Sequence, residues 1–83
     1  MKHTLRISVG ECIRRLRIDA GMSQVVFGER CGFYQTYVSR VERGLANPTL
    51  NALDVIATTL GLSVFEFFRE VEREHFGLQS RQT

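Results

Sequence analysis

No stretch of this chain approaches the roughly 20 consecutive apolar residues that a membrane span requires. The N-terminus also lacks the apolar core of a signal peptide. These absences predict a cytoplasmic protein with no membrane partner. Cysteine is scarce, with only Cys12 and Cys31. Both fall on apolar helical positions and are expected as reduced thiols packed like small hydrophobes; a redox-sensing pair is the sharper alternative. His3 and His75 add no metal-ligand spacing, so no metal site is expected. Nothing resembles a nucleophile–base pair or a phosphate-cradling loop, and no cofactor or small-molecule ligand is implied. Eighty-three residues hold one modest core and few catalytic clefts. The expectation is a protein that is not an enzyme.

Charge is present but unevenly placed. Residues 1–43 carry eight Lys/Arg against four Asp/Glu, and residues 44–83 carry three against five. A basic first half and an acidic second half suggest two faces with different partners. Ten of the eleven cations are arginine, the residue suited to planar, bidentate contact with phosphates and guanine edges, although a genomic bias toward arginine would look the same.

Glycines and capping residues divide the chain into five helices and no strands. Ser8 and Glu11 have the spacing of a capping box and are expected to open the first helix, with Val9, Ile13 and Leu16 inward and Gly21 as its stop. Ser23 caps a second helix with Phe27 and Cys31 inward, closed by Gly32. The third runs from about Tyr34 to Arg43 around Val38 and Val41, closed by Gly44. Beyond the loop that holds Pro48, Thr49 caps a fourth helix with Leu50, Leu53, Ile56, Ala57 and Leu60 inward. Ser63 with Glu66 forms another capping box, opening a fifth helix expected to reach about His75. Residues 1–76 are read as a single domain ending in a dimerisation helix, and 77–83 as a flexible tail without apolar periodicity. Two short helices joined tightly around Gly32 give a helix-turn-helix arrangement.

The stretch FYQTYVSRVERG, residues 33–44, puts bulky hydrogen-bonding groups where short caps usually sit. With its surroundings it carries a family resemblance. Ile13-Arg-Arg-Leu-Arg17, Gly21-Met-Ser-Gln24, Gly32, Tyr37-Val-Ser-Arg-Val-Glu-Arg-Gly44, Asn47-Pro-Thr-Leu50 and Leu60-Gly-Leu-Ser63 follow in order with their gaps preserved. The stretch from Val9 to Phe68 resembles the Cro/C1-type (XRE-like) helix-turn-helix family of phage repressors and small bacterial regulators. The narrower pattern is similar to the controller proteins of restriction–modification systems. The fold implied is a compact, all-α, five-helix domain like that of lambda repressor.

The resemblance implies that the third helix enters the DNA major groove with Gln35, Thr36 and Arg40 facing base edges. Glutamine suits adenine, arginine suits guanine, and the threonine methyl can touch that of thymine. An ordinary solvated first turn is the plain alternative for Gln35 and Thr36. Gln24 is implied to hold a phosphate at the start of the second helix, where free amides and the helix dipole favour one. Arg43 and Asn47 would hold the backbone on the other side, and Ser39 either backbone or base. Tyr34 and Tyr37 are assigned to the backbone through their hydroxyls, with ring packing against the second helix as the alternative. Arg17 and Glu42 are implied to form a partly buried ion pair between the first and third helices. Gly28 stands where the family usually has alanine, and Val25 and Val26 where polar residues are common.

On the fifth helix, Val64, Phe67, Phe68 and Val71 have core spacing. Phe65 lies off that stripe and Phe76 lies beyond it. Surplus apolar groups suggest association, and the expected dimer interface is Phe65, Phe68, Glu72 and Phe76. The function implied is a homodimeric, sequence-specific regulator of transcription that binds double-stranded DNA at a palindromic operator. Alternatives are a phage-type repressor, an antitoxin, or a protein-interaction module that has lost DNA binding.

Overall fold

The computed structural model describes the backbone of residues 4–82 and the side chains of residues 5–77. Among the described residues there are five helices and no strand: α1 (Thr4–Asp19), α2 (Gln24–Cys31), α3 (Gln35–Glu42), α4 (Leu50–Thr59) and α5 (Val64–Gln82). No single helix among them is long and apolar enough to cross a membrane.

Local chemistry sets most boundaries. The Ser23 hydroxyl accepts from the Val26 amide at 3.1 Å, and the Thr49 hydroxyl from the Ala52 amide at 3.0 Å. Ser63 and Glu66 satisfy each other's backbone amides at 2.8 and 3.0 Å, a complete capping box. Tyr34 occupies the N-cap of α3 without any side-chain cap bond.

The core joins Val9, Cys12 and Ile13 of α1 to Phe27 of α2, Val38 and Val41 of α3, Leu53, Ile56 and Ala57 of α4, and Phe67 and Val71 of α5. Helix α1 packs on both α3 and α5. Its contact with α3 depends on Gly10. A Cβ there would lie 2.5 Å from the carbonyl oxygens of both Val41 and Glu42, so only glycine lets the two backbones meet.

Four sequence expectations need correction. Ser8 does not open a helix: it lies inside α1, fully buried, with its hydroxyl 3.0 Å from Nδ1 of His75. Its serine serves the α1–α5 contact, since a buried hydroxyl needs a partner. Leu50, the first residue of α4, is not inward but 74% exposed. Phe68 is not a core residue. Phe67 takes the fully buried position, and the 100° turn to the next residue leaves Phe68 on the rim, 37% exposed. Finally, α5 does not stop near His75 but continues through Gln82, taking in most of the segment expected as a tail. Arg15 of α1 bonds Glu70 at 2.9 Å and Glu74 at 3.3 Å, holding this part of α5 against α1.

Both thiols are free. Cys31 is half-buried with Sγ 3.4 Å from the Thr59 hydroxyl. Cys12 is fully buried, and burial, opposed by the nearby Arg15, pushes its thiol from 9.0 up to about 11. A thiol whose pKa rises on folding stabilises the fold below its unfolded value, and that contribution is lost as pH climbs to the folded value. The Cys12 contribution to wild-type stability should therefore be constant with pH below 9 and be lost between pH 9 and about 11. Urea titrations across this range should give a steeper decline for the wild type than for Cys12→Ala, by on the order of 2–3 kcal/mol in total.

Candidate nucleic-acid interface

Helices α2 and α3 are joined by a three-residue turn. Gly32 takes a left-handed φ of 80°, which glycine adopts without Cβ strain. The Phe33 amide then donates to the Gly28 carbonyl at 2.8 Å. A Cβ on Gly28 would stand 2.8 Å from the Phe33 oxygen and 3.4 Å from Val38 Cγ2, so this glycine keeps the turn close to both helices. The Phe33 and Tyr37 rings meet edge to face at 5.1 Å.

This frame leaves one face of α3 uncovered, from its first turn to Arg40. Tyr34 is 86% exposed. Gln35, Thr36 and Arg40 are exposed, while Tyr37 and Ser39 are half-buried. Arg40 is tied back by a 2.9 Å bond from Nη2 to the Leu45 carbonyl, and Arg43 Nε donates to the Ser39 carbonyl at 3.4 Å. Asn47 is exposed on the following loop. These side chains share one end of the molecule with the start of α2.

Beneath them runs a chain of hydrogen bonds. Arg17 Nε and Nη2 donate to the two carboxylate oxygens of Glu42 at 2.6 and 3.0 Å, and Nη1 donates to the Met22 carbonyl at 2.8 Å. Both residues are 7% exposed. Gln24 Nε2 donates to Glu42 Oε1 at 3.0 Å, and Gln35 Nε2 donates to Gln24 Oε1 at 2.7 Å. The buried ion pair is thus connected to the exposed first residue of α3.

The profile of the helix-turn-helix domain family matches residues 8–67. The chain belongs to this family. It is 38% identical over 73 residues to the HTH-type transcriptional regulator y4dJ of Sinorhizobium fredii, covering 88% of this chain and 95% of that one. It is 32% identical over 63 residues to the control protein C.BamHI of Bacillus amyloliquefaciens, covering 75% and 78%. Among solved structures it resembles the restriction–modification controller protein C.Esp1396I, a tetramer in complex with its natural 35 base-pair operator, with TM-score 0.80 and 29% identity over 87% of this chain and 95% of that one.

Within this helix-turn-helix unit, two contacts escaped sequence reading. The Gln24–Gln35 bond joins the first residues of α2 and α3, and its signal, a glutamine at each helix start, becomes meaningful only once the turn geometry is known. The Arg40 bond to the Leu45 carbonyl leaves no sequence signal. Val25 and Val26 are both exposed, at 52% and 37%, and nothing in the structure explains them.

Removing one member of a buried ion pair strands a charge, whereas removing both need not. Glu42→Ala should destabilise the domain by about 3–5 kcal/mol. Replacing both partners with Arg17→Met and Glu42→Leu should recover much of that loss. Chemical denaturation of the single and double variants measures the difference. Equal losses would show that the pair does not act as a unit.

Proposed function

We propose that this helix-turn-helix protein is a homodimeric, sequence-specific regulator of transcription of the restriction–modification controller type, working in the cytoplasm without catalysis. The observation that carries the reading is the uncovered face of α3 that bears Gln35, Thr36 and Arg40, held by its turn and by the ion pair. Relatives named as transcriptional regulators and controller proteins support it. The long apolar seam of α5 supports the dimer.

In the proposed complex α3 enters the major groove. Gln35, Thr36 and Arg40 read base edges, with arginine matched to guanine and glutamine to adenine. Arg40 exchanges its bond to the Leu45 carbonyl for a base, so the tether keeps its guanidinium near the groove until DNA arrives. Gln24, Tyr34, Tyr37, Ser39, Arg43 and Asn47 hold the backbone. Gln24 retains one unused N–H for a phosphate, at the positive end of α2.

The proposed interface is the stripe of Phe65, Phe68, Glu72 and Phe76. All four are exposed, and steps of three or four residues keep them on one face of α5. Phe68 lies where two surface grooves meet, one walled by Leu5, Leu50 and Leu53 and the other by Leu50, Val64 and Phe65. The exposure of Leu50 and Phe68 is therefore a gain for association. A two-fold dimer through this face presents two recognition helices about 34 Å apart, one turn of DNA.

Operator sequences selected from random DNA test the contact roles. Arg40→Ala should weaken binding to the selected operator by about 1–3 kcal/mol and relax one position in each half-site. Arg43→Ala should weaken all sequences alike and lower the salt slope by about 1. An equal loss of operator and random-DNA affinity in Arg40→Ala would move that residue to the backbone.

Phe65→Glu should leave the core intact, since Phe67 and Val71 rather than Phe65 fill it, while placing two charges in the seam. Sedimentation should show a helical monomer at micromolar concentration. Affinity for a two-half-site operator should fall by ~10²–10⁴, the avidity that coupling supplies, with little change on a single half-site. A persisting dimer with normal operator affinity would place the interface elsewhere.

A further inference from the structure

We infer that the groove between α1, α4 and α5 is a binding site for a small amphipathic anion, a short alkyl chain ending in a carboxylate. The groove has a volume of about 290 Å³, at the lower limit of ligand pockets, which run from roughly 300 to 1,000 Å³. The buried Val9, Leu53 and Val71 line it beside the exposed Leu5, Leu50 and Phe68. Arg6, in the first turn of α1, and Asn47 supply its polar side chains, and no carboxylate lines it among the described residues.

Arg6 decides the chemistry of the occupant. Its Nε is buried and has no hydrogen-bond partner among the described residues. A surface arginine ordinarily lays its stem on apolar neighbours and carries its head into water. Here the innermost N–H of the head is sealed off, and a buried donor without an acceptor carries a cost that an incoming acceptor removes. A carboxylate is the matched acceptor, because its two oxygens can take Nε–H and a neighbouring Nη–H side by side. Its charge also meets a guanidinium that is always protonated and that no acidic side chain lining the groove offsets among the described residues. The apolar lining then takes the attached chain out of water. Phe68 belongs to the proposed dimer stripe, and Leu50 stands beside it. A ligand in the groove therefore competes with a second chain for both, binds the monomer more tightly and by linkage shifts the protein toward it. This effect on association rests on the proposed dimer, whereas the binding itself does not.

Octanoate and the uncharged octanamide are probes of equal length. The wild type should bind octanoate saturably, followed through the methyl resonances of Val9, Leu53 and Val71, and roughly 10- to 100-fold more tightly than octanamide. Arg6→Met keeps most of the side-chain length and removes the charge and the donors. It should lose that preference and still bind octanamide. Equal affinity of the wild type for the two probes would overturn the inference, and this comparison needs no variant. A preference retained in Arg6→Met would overturn it as well, as would shifts confined to Phe65 and Phe76, the sign of adsorption on the aromatic stripe. Phe65 does not line the groove, so Phe65→Glu should bind octanoate at least as tightly as the wild type. In the wild type, sedimentation should show octanoate converting dimer to monomer, with operator affinity falling in step. Octanoate bound beside an unchanged dimer would overturn the competition and move the seam, while the binding site would stand.

Discussion

The Arg17–Glu42 pair is the constraint on which the rest of this small domain depends. It takes two charges out of water, a cost recovered only where geometry is close and remaining donors find partners. Both conditions hold: the guanidinium fork meets the carboxylate at 2.6 and 3.0 Å, and its third nitrogen caps the Met22 carbonyl. One side chain from α1 thereby fixes the end of α3 and the turn into α2. The approach it demands is close enough that Gly10 must do without a side chain where α1 crosses the Val41 and Glu42 carbonyls. A glycine inside a helix costs about 1 kcal/mol relative to alanine, and the structure accepts this loss to bring the charges together.

The opposite end of the molecule follows from limits of size. A domain this short buries a modest fraction of its surface, and α5 carries more aromatic rings than the core can take. Phe67 fills the interior, while Phe65, Phe68 and Phe76 remain 71%, 37% and 57% exposed. Beside the buried Val71, polar contacts tie this part of α5 to α1: Arg15 to Glu70 and Glu74, and Ser8 to His75. Holding the helix from one side by such bonds leaves its aromatic stripe free for a second chain, as proposed here.

What could be read from sequence was what the chain decides locally. Ser23, Thr49 and the Ser63–Glu66 box act within one helical turn, so their spacing alone carries the information. The five helices, their glycine stops and the helix-turn-helix order follow from such signals. Ser8 and Glu11 have the same spacing and mislead, because the α1–α5 contact buries Ser8 and continues the helix past it. Leu50 and Phe68 fail for the matching reason: periodicity marks a face, but only neighbouring helices decide how far the core reaches along it. In the candidate interface, residue types at the start of α3 pointed to the surface. The bonds that hold them, Gln24 to Gln35 and Arg40 to the Leu45 carbonyl, depend on distances no spacing rule supplies.

These two bonds bear on why the recognition surface is built as it is. A long side chain left free on a helix loses rotamer freedom on binding, about 0.5–1.5 kcal/mol for each one immobilised. Gln35 and Arg40 meet part of that cost within the folded domain, through partners 2.7 and 2.9 Å away. The two solutions differ in kind. Gln35 is anchored through Gln24 and Glu42 to the buried ion pair. Arg40 is anchored to a loop carbonyl through one of its five N–H donors, so the others stay available to a partner. One side chain is thus tied to the core and the other to a loop. In the proposed complex both side chains therefore meet DNA already partly ordered, one through the core and the other through the loop after α3.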